Sequence, residues 1–175
     1  TREYPYGNMF AHTVGYSDHG KSGLESVENF ELLTSNAFFL EKLKNEFQDK
    51  KNRGDSVVTT LDVDLQQTAY QAMGDAKGAV VVMEPSTGKI LVMLSKPDFD
   101  PNRLSEDWEY LNTDVNSALL NRATQGQYAP GSTFKIITAL EYLRENLGAE
   151  AYSYDCAGAI EKEGTTIHCF GGHVH

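Results

Sequence analysis

The sequence predicts an α+β fold, with an antiparallel sheet packed against helices. Three observations predict it. Two apolar runs at 79–83 and 90–94 flank the turn Pro85-Ser86-Thr87-Gly88 and read as a hairpin. Just before them, 63–73 carries apolar residues at helical spacing. Farther on, 132–147 is the strongest helical pattern in the chain.

The elements follow in order. Residues 1–23 are rich in Gly, Tyr and His with turn dipeptides, and read as irregular or edge-strand. In 24–48 the spacing of Phe39, Leu40, Leu43 and Phe47 fits an amphipathic helix. The polar run 48–55 reads as a linker, which sets a domain boundary at 53/54. Val57, Val58 and Leu61 suggest a short strand at 57–61. The 63–73 helix buries Leu65, Ala69, Ala72 and Met73, and Gly74 or Gly78 stops it. Residues 97–131 read as long loops, where Trp108 and Tyr110 either line a cleft or anchor the loop. The 132–147 helix is apolar on more than one face of its first turns and is expected to run through a core. A last hairpin pairs 152–156 with 165–169 around the turn 161–164. That register sets Ile160 against Thr165 and Cys156 against Cys169, so these cysteines are either a cross-strand disulfide or two thiols. A slip of one residue separates them.

Composition narrows the function. Apolar residues make up 40% and charged residues 23%, enough for a core. The net charge of −10 disfavours a nucleic-acid binder and docking on anionic lipid. No apolar run reaches the roughly 18 residues of a spanning helix, and residues 1–5 lack a signal-peptide pattern. Both ends are abrupt, so a segment of a longer protein is expected. His168, Cys169, His173 and His175 cluster near the end without the spacing of a zinc site, so no metal is expected.

The chemistry sits at Ser132 and Lys135. Acyl transfer needs a hydroxyl with a base in hydrogen-bond reach. Residues three apart on a helix share a face. A lysine acts as base only when neutral, which desolvation favours. The helix start adds unpaired N–H groups suited to an oxyanion. Spacing alone is weak, because Ser86-Thr87-Gly88-Lys89 repeats it in a turn where Gly88 bars a helix. Ser132 differs in that Pro130-Gly131 sets up a helix start and an apolar run follows.

The stretch Asn121-Arg122-Ala123 with Tyr128-Ala129-Pro130-Gly131-Ser132-Thr133-Phe134-Lys135 resembles the serine helix of class B penicillin-binding proteins. Val58-Thr59-Thr60-Leu61-Asp62 with Leu65-Gln66, then Thr87-Gly88-Lys89-Ile90 and Pro97-Asp98-Phe99-Asp100-Pro101-Asn102, are similar to that family's entry strand, hairpin and following loop. Arg2-Glu3-Tyr4-Pro5 and Gly20-Lys21-Ser22-Gly23-Leu24-Glu25 resemble motifs of its non-catalytic pedestal. The resemblance implies that 1–53 end the pedestal and 54–175 begin the transpeptidase domain. The implied fold is that of penicillin-binding proteins and serine β-lactamases, incomplete at its C-terminus.

The implied activity is D,D-transpeptidation of peptidoglycan. Ser132 is the nucleophile and oxyanion N–H, and Lys135 the general base. Gly131, Thr133, Asn121 and Arg122 border the cleft, and Arg2 and Glu25 are a candidate structural pair in the pedestal. Neither cofactor nor metal is implied. The implied ligands are stem peptides and β-lactams, and the partners are the cell-wall synthesis or division machinery. The implied place is outside the cytoplasmic membrane, reached through a single-pass anchor beyond this chain. The alternatives are a non-catalytic cell-wall scaffold and a β-lactamase or β-lactam sensor. The family's Ser-x-Asn and Lys-Thr-Gly motifs do not occur here, and the segment alone is expected to be inactive.

Overall fold

The computed structural model describes residues 2–35, 39–48, 50, 54–146 and 153–174. The chain divides into two compact units, Thr1–Gln127 and Tyr128–His175.

The first unit is organised by the expected hairpin. Strand β1 (Gly78–Met83) pairs antiparallel with β2 (Ile90–Lys96), from Gly78↔Lys96 to Val82↔Val92, and the register slips before Met83↔Ile90. Residues 57–61 do not add a third ladder strand. Polar groups from other elements satisfy the outer edge of β2 instead. Thr60 Oγ1 donates to Ile90 O (2.7 Å) and Asp62 N to Leu91 O (2.9 Å). Gln66 donates to Met93 O and accepts from Met93 N (both 3.0 Å), and Thr13 Oγ1 also donates to Met93 O (3.0 Å). The Gln66 amide thus copies one rung of a β-ladder. Blunting the edge with side chains removes the template on which a foreign strand would pair.

Gln66 lies on α5 (Val63–Met73), which Asp62 caps by accepting from Leu65 N at 2.9 Å. The expected buried face is corrected here. Gln66 is fully buried, whereas Leu65 and Ala72 are exposed. The helix turns its amide, not its leucine, toward an edge full of backbone donors and acceptors.

Residues 2–23 are more ordered than expected. A 3₁₀ turn, Gly7–Phe10, runs into α1 (Ala11–Val14), and α2 (Gly23–Val27) and α3 (Asn29–Leu33) follow. Gly15 and Gly23 have positive φ where two backbones touch: a Cβ on Gly15 would lie 1.9 Å from Ser22 O. The expected amphipathic helix is α4 (Phe39–Phe47). The linker 48–55 lies partly outside the described residues. At its end Asp55 N–H is held by Glu31 O and Thr34 O (both 3.0 Å), so that end is fastened to α3.

The expected loop 97–131 contains a helix. Asp100 accepts from Asn102 N, Pro101 opens a 3₁₀ turn, and α6 (Leu104–Thr113) continues from it. Leu104 and Leu111, two turns apart, bury against Ala11, Phe99 and Ala118 to form the core. Trp108 is an anchor: it stacks on His19 (4.7 Å between centroids) and meets Tyr16 edge-on. Tyr110 stays exposed.

The second unit holds α7 (Phe134–Glu145) and the hairpin of β3 (Ala159–Lys162) and β4 (Thr165–His168). The expected register is corrected by two residues. Glu163 and Gly164, both at positive φ, make a two-residue turn, so Lys162 faces Thr165 and Ile160 faces Ile167. Two successive positive-φ residues match the right-handed twist of the flanking strands. Cys169 N therefore donates to Gly158 O (2.9 Å), Cys156 does not oppose Cys169, and no disulfide joins them. The expected first strand is corrected too: residues 153–156 form no strand and β3 lies farther along, while Tyr152 lies outside the described residues.

Candidate active site

Pro130-Gly131-Ser132-Thr133 builds the turn that presents Ser132. Gly131 adopts φ +54° with nothing near the position of a Cβ. Pro130 O accepts from both Thr133 N (3.2 Å) and Thr133 Oγ1 (2.5 Å), which closes a 3₁₀ turn over Gly131–Thr133. Ser132 thus sits in a tight lead-in turn, and α7 proper begins at Phe134. The first N–H groups of such a start lack helical acceptors and face outward.

Lys135 follows one turn later. With Thr138, Ala139 and Tyr142 it lines an almost wholly apolar groove along one face of α7, at the i, i+3, i+4, i+7 spacing of a helical stripe. No hydrogen bond joins Lys135 to Ser132 among the described residues. The expectation that α7 runs through a core is corrected: every described residue of α7 is exposed. Phe134, Ile136, Ile137, Leu140 and Leu143 all present more than half of their surface. Within its own unit the helix does not bury the lysine.

The remaining expected residues belong to the first unit, where the side chains of Asn121 and Arg122 are engaged by backbone. Asn121 Nδ2 donates to His12 O (3.1 Å) and its Oδ1 accepts from Ala123 N (3.0 Å). Arg122 N donates to Ser95 Oγ (2.9 Å), and its guanidinium reaches Ser117 O (3.1 Å) and Asn116 O. Both brace the 114–125 loop. Arg2 Nη2 lies 3.0 Å from Glu25 Oε2, with Glu25 buried. Ser86 stands in the turn between β1 and β2 beside an exposed Lys89.

Sequence reasoning missed Gln66, Ser95 and His12 as organising groups. The signal at Gln66 was a polar residue next to the apolar positions of an amphipathic helix. Ser95 and His12 gave no signal beyond their residue type. Burial pushes the His12 ring below its ordinary value, against the pull of Pro97 O and Asp98. Tyr70, beside Asp98 and under Lys96, is pushed up to about 12, mainly by burial.

Residues 78–173 match the penicillin binding protein transpeptidase domain, and residues 1–57 match the penicillin binding protein A dimerisation domain. The chain belongs to the penicillin-binding protein transpeptidase family. The peptidoglycan D,D-transpeptidase PbpA of Mycolicibacterium smegmatis is 41% identical over 159 residues, covering 82% of this chain and 32% of that protein. PbpA of Mycobacterium tuberculosis is 35% identical over 189 residues, 98% of this chain and 38% of that protein. The structure of penicillin-binding protein A from M. tuberculosis as an imipenem acyl-enzyme superposes with a TM-score of 0.87. It is 33% identical, over 99% of this chain and 44% of that one. The D,D-transpeptidase domain of a peptidoglycan glycosyltransferase from Eggerthella lenta gives 0.83 at 34% identity, over 100% of this chain and 39% of that one. The chain thus spans less than half the length of these relatives. The match to their fold agrees with the predicted α+β class.

Proposed function

We propose that this chain is the serine-bearing part of a peptidoglycan D,D-transpeptidase, with Ser132 as nucleophile and Lys135 as its base. The observation that carries the reading is Ser132-x-x-Lys135 at a helix start inside the stretch that matches the transpeptidase domain. Penicillin-binding protein A of M. tuberculosis, solved as imipenem and penicillin G acyl-enzymes, supports it by similarity.

In this mechanism Lys135, neutral when desolvated, takes the Ser132 Oγ proton as Oγ bonds to the penultimate D-alanine carbonyl of a stem peptide. The N–H of Ser132 faces the developing oxyanion, with a second donor from outside the described residues. The tetrahedral carbon expels the amine of the terminal D-alanine, which leaves with the lysine proton. An amine of a second stem peptide then attacks the acyl-enzyme and returns Ser132 to its hydroxyl. β-Lactams enter the first half and stay as the ester. The reaction belongs outside the cytoplasmic membrane, where stem peptides and the cell-wall synthesis machinery meet. Among the described residues no helix is long and apolar enough to cross a membrane.

The test uses fluorescent penicillin on the full-length protein. The expected result is one label per chain, none on Ser132→Ala at an unchanged melting temperature, and labelling slowed about a thousandfold by Lys135→Ala. The 175-residue chain alone is expected to stay unlabelled, since the Ser-x-Asn and Lys-Thr-Gly motifs are not in it. Undiminished labelling of Ser132→Ala sinks the reading. An unlabelled wild-type protein points to the scaffold alternative, and rapid loss of the label to a β-lactamase.

A further inference from the structure

Residues 5–9 and one face of α5 line an open groove of about 770 Å³ in the first unit. Val63, Gln67, Tyr70 and Gln71 form the α5 wall, at the i, i+4, i+7, i+8 spacing of a helical stripe. The two walls are tied to each other. Gln66 Nε2 donates to Met9 O (2.8 Å). Asp98 accepts from Asn8 Nδ2 (3.1 Å) and stands beside the Tyr70 hydroxyl. Lys96 Nζ packs over the Tyr70 ring, 3.8 Å from its centroid. Tyr4, just before the first wall, is clasped at N and O by Asn102 (both 2.9 Å). The groove is therefore shaped before any ligand arrives, which lowers the cost of binding.

We propose that this groove binds a neutral glycan of N-acetylated amino sugars, the strand that carries the stem peptides. The lining supports a neutral sugar by itself, and the choice of this glycan rests on the transpeptidase reading. Among the described residues no charged side chain lines the groove, in a chain of net charge −10. Tyr6, 55% exposed, and Tyr70 supply rings for the apolar face of a pyranose and hydroxyls for its polar edge. Gln67 and Gln71 are exposed, and neither side chain is hydrogen-bonded to a described residue. Each amide offers donors and an acceptor, which suit hydroxyl and acetamido groups. Their neighbour Gln66 has spent its amide on Met9 and Met93.

Other ligands fit this lining less well. A stem peptide brings carboxylates, and no lysine or arginine lines the groove to receive them. An apolar helix or acyl chain buries the Gln67 and Gln71 amides without partners, which costs free energy. A sugar pairs with both amides and still covers Pro5, Met9 and Val63. Size agrees as well. The volume is in the range of small-molecule sites. The α5 wall runs about 12 Å from Val63 to Gln71, long enough for more than one pyranose ring. A strand held here stays on the protein while its stem peptides react, which raises their effective concentration.

Saturation-transfer NMR on the full-length protein tests this with chitotetraose, an uncharged oligomer of N-acetylglucosamine. Saturable binding is expected, with a Kd of about 1 mM. Gln67→Ala with Gln71→Ala is expected to weaken it about tenfold or more at an unchanged melting temperature. Both side chains are exposed, and alanine favours the helix. If that double variant does not fold, Tyr6→Ala carries the same expectation. Cellotetraose, the same chain of rings without acetamido groups, is expected to bind at least about tenfold more weakly. No saturation by about 10 mM, or undiminished binding by the variants, overturns the site. Displacement of the sugar by an N-acetylated D-alanyl-D-alanine peptide overturns it too. Equal binding of cellotetraose overturns the amino sugar. Because binding is read without turnover, its failure leaves penicillin labelling, and with it the acyl-transfer reading, standing.

Discussion

In Thr1–Gln127 polar side chains clasp the backbone of distant segments and apolar ones form a core, whereas the described residues of Tyr128–His175 bury no apolar side chain. Gln66, Asn102 and Asn121 of the first unit each hold main-chain atoms of another segment, and Arg122 holds those of its own loop. Leu94 and Leu104 are almost wholly buried. In the second unit no described apolar side chain is buried, and α7 shows Leu140 and Leu143 at 59% and 60% exposure. The serine and lysine thus stand on the less packed region. A lysine base needs a low-dielectric setting to be neutral at working pH, and Tyr128–His175 does not supply one by itself.

The largest effect that tests this contrast is at Gln66. Gln66→Ala strips three hydrogen bonds and leaves Met93 N and Met9 O, both tied to a buried side chain, without their partner. Buried orphans cost about 1–3 kcal/mol each, so a loss of about 3–5 kcal/mol is expected in urea unfolding. A loss under about 1 kcal/mol breaks the view that side-chain-to-backbone bonds hold the first unit.

Gln66 also marks the limit of what could be read from the sequence. The α5 helix, the β1–β2 hairpin and the Ser132 turn were legible because each has a local cause: an Asp62 cap, a Pro85–Gly88 turn and a Pro130-Gly131 start. The third strand failed because 57–61 meets β2 only through the Thr60 side chain, while Gln66 and Thr13 occupy Met93 farther along that edge, a tertiary arrangement no local pattern announces. The α6 helix was lost behind Pro97, Pro101 and Asn102, where Asp100 caps and Pro101 opens the 3₁₀ turn that runs into Leu104. Of the last hairpin only the second strand was placed: the first lies at Ala159–Lys162 and not at 152–156, and the register slips by two, since Glu163 gave no hint of positive φ. At the site, the serine–lysine pairing was legible and its surroundings were not: neutralising a lysine depends on what packs over α7.

A smaller effect is expected at the Arg2–Glu25 pair. Glu25 has a side chain 9% exposed, and Arg2 is 43% exposed. Arg2→Met leaves a buried carboxylate without its cation, which in a fully buried pair costs several kcal/mol. The half-open arginine is screened by solvent, so about 1–2 kcal/mol is expected by thermal unfolding. A double change, Arg2→Met with Glu25→Met, is expected to recover most of that loss. No recovery shows that Glu25 is held by something other than charge.

The smallest effect is the most telling, because its size is expected to depend on what surrounds α7. Leu140→Ala in the 175-residue chain removes a side chain already 59% exposed. The expected change is within about 0.5 kcal/mol, with alanine's helix propensity offsetting what little packing is lost. A leucine as buried as Leu104, at 1% exposure, costs about 2–5 kcal/mol when cut to alanine. Made in the full-length protein, Leu140→Ala distinguishes two cases. A cost in the buried range means that further chain covers the apolar face of α7, which brings the desolvation that a neutral Lys135 requires. A change that stays within about 0.5 kcal/mol there too leaves that face open and the lysine solvated. Its charge must then be lowered by a neighbouring cation, and the search for the proton's route moves from packing to electrostatics.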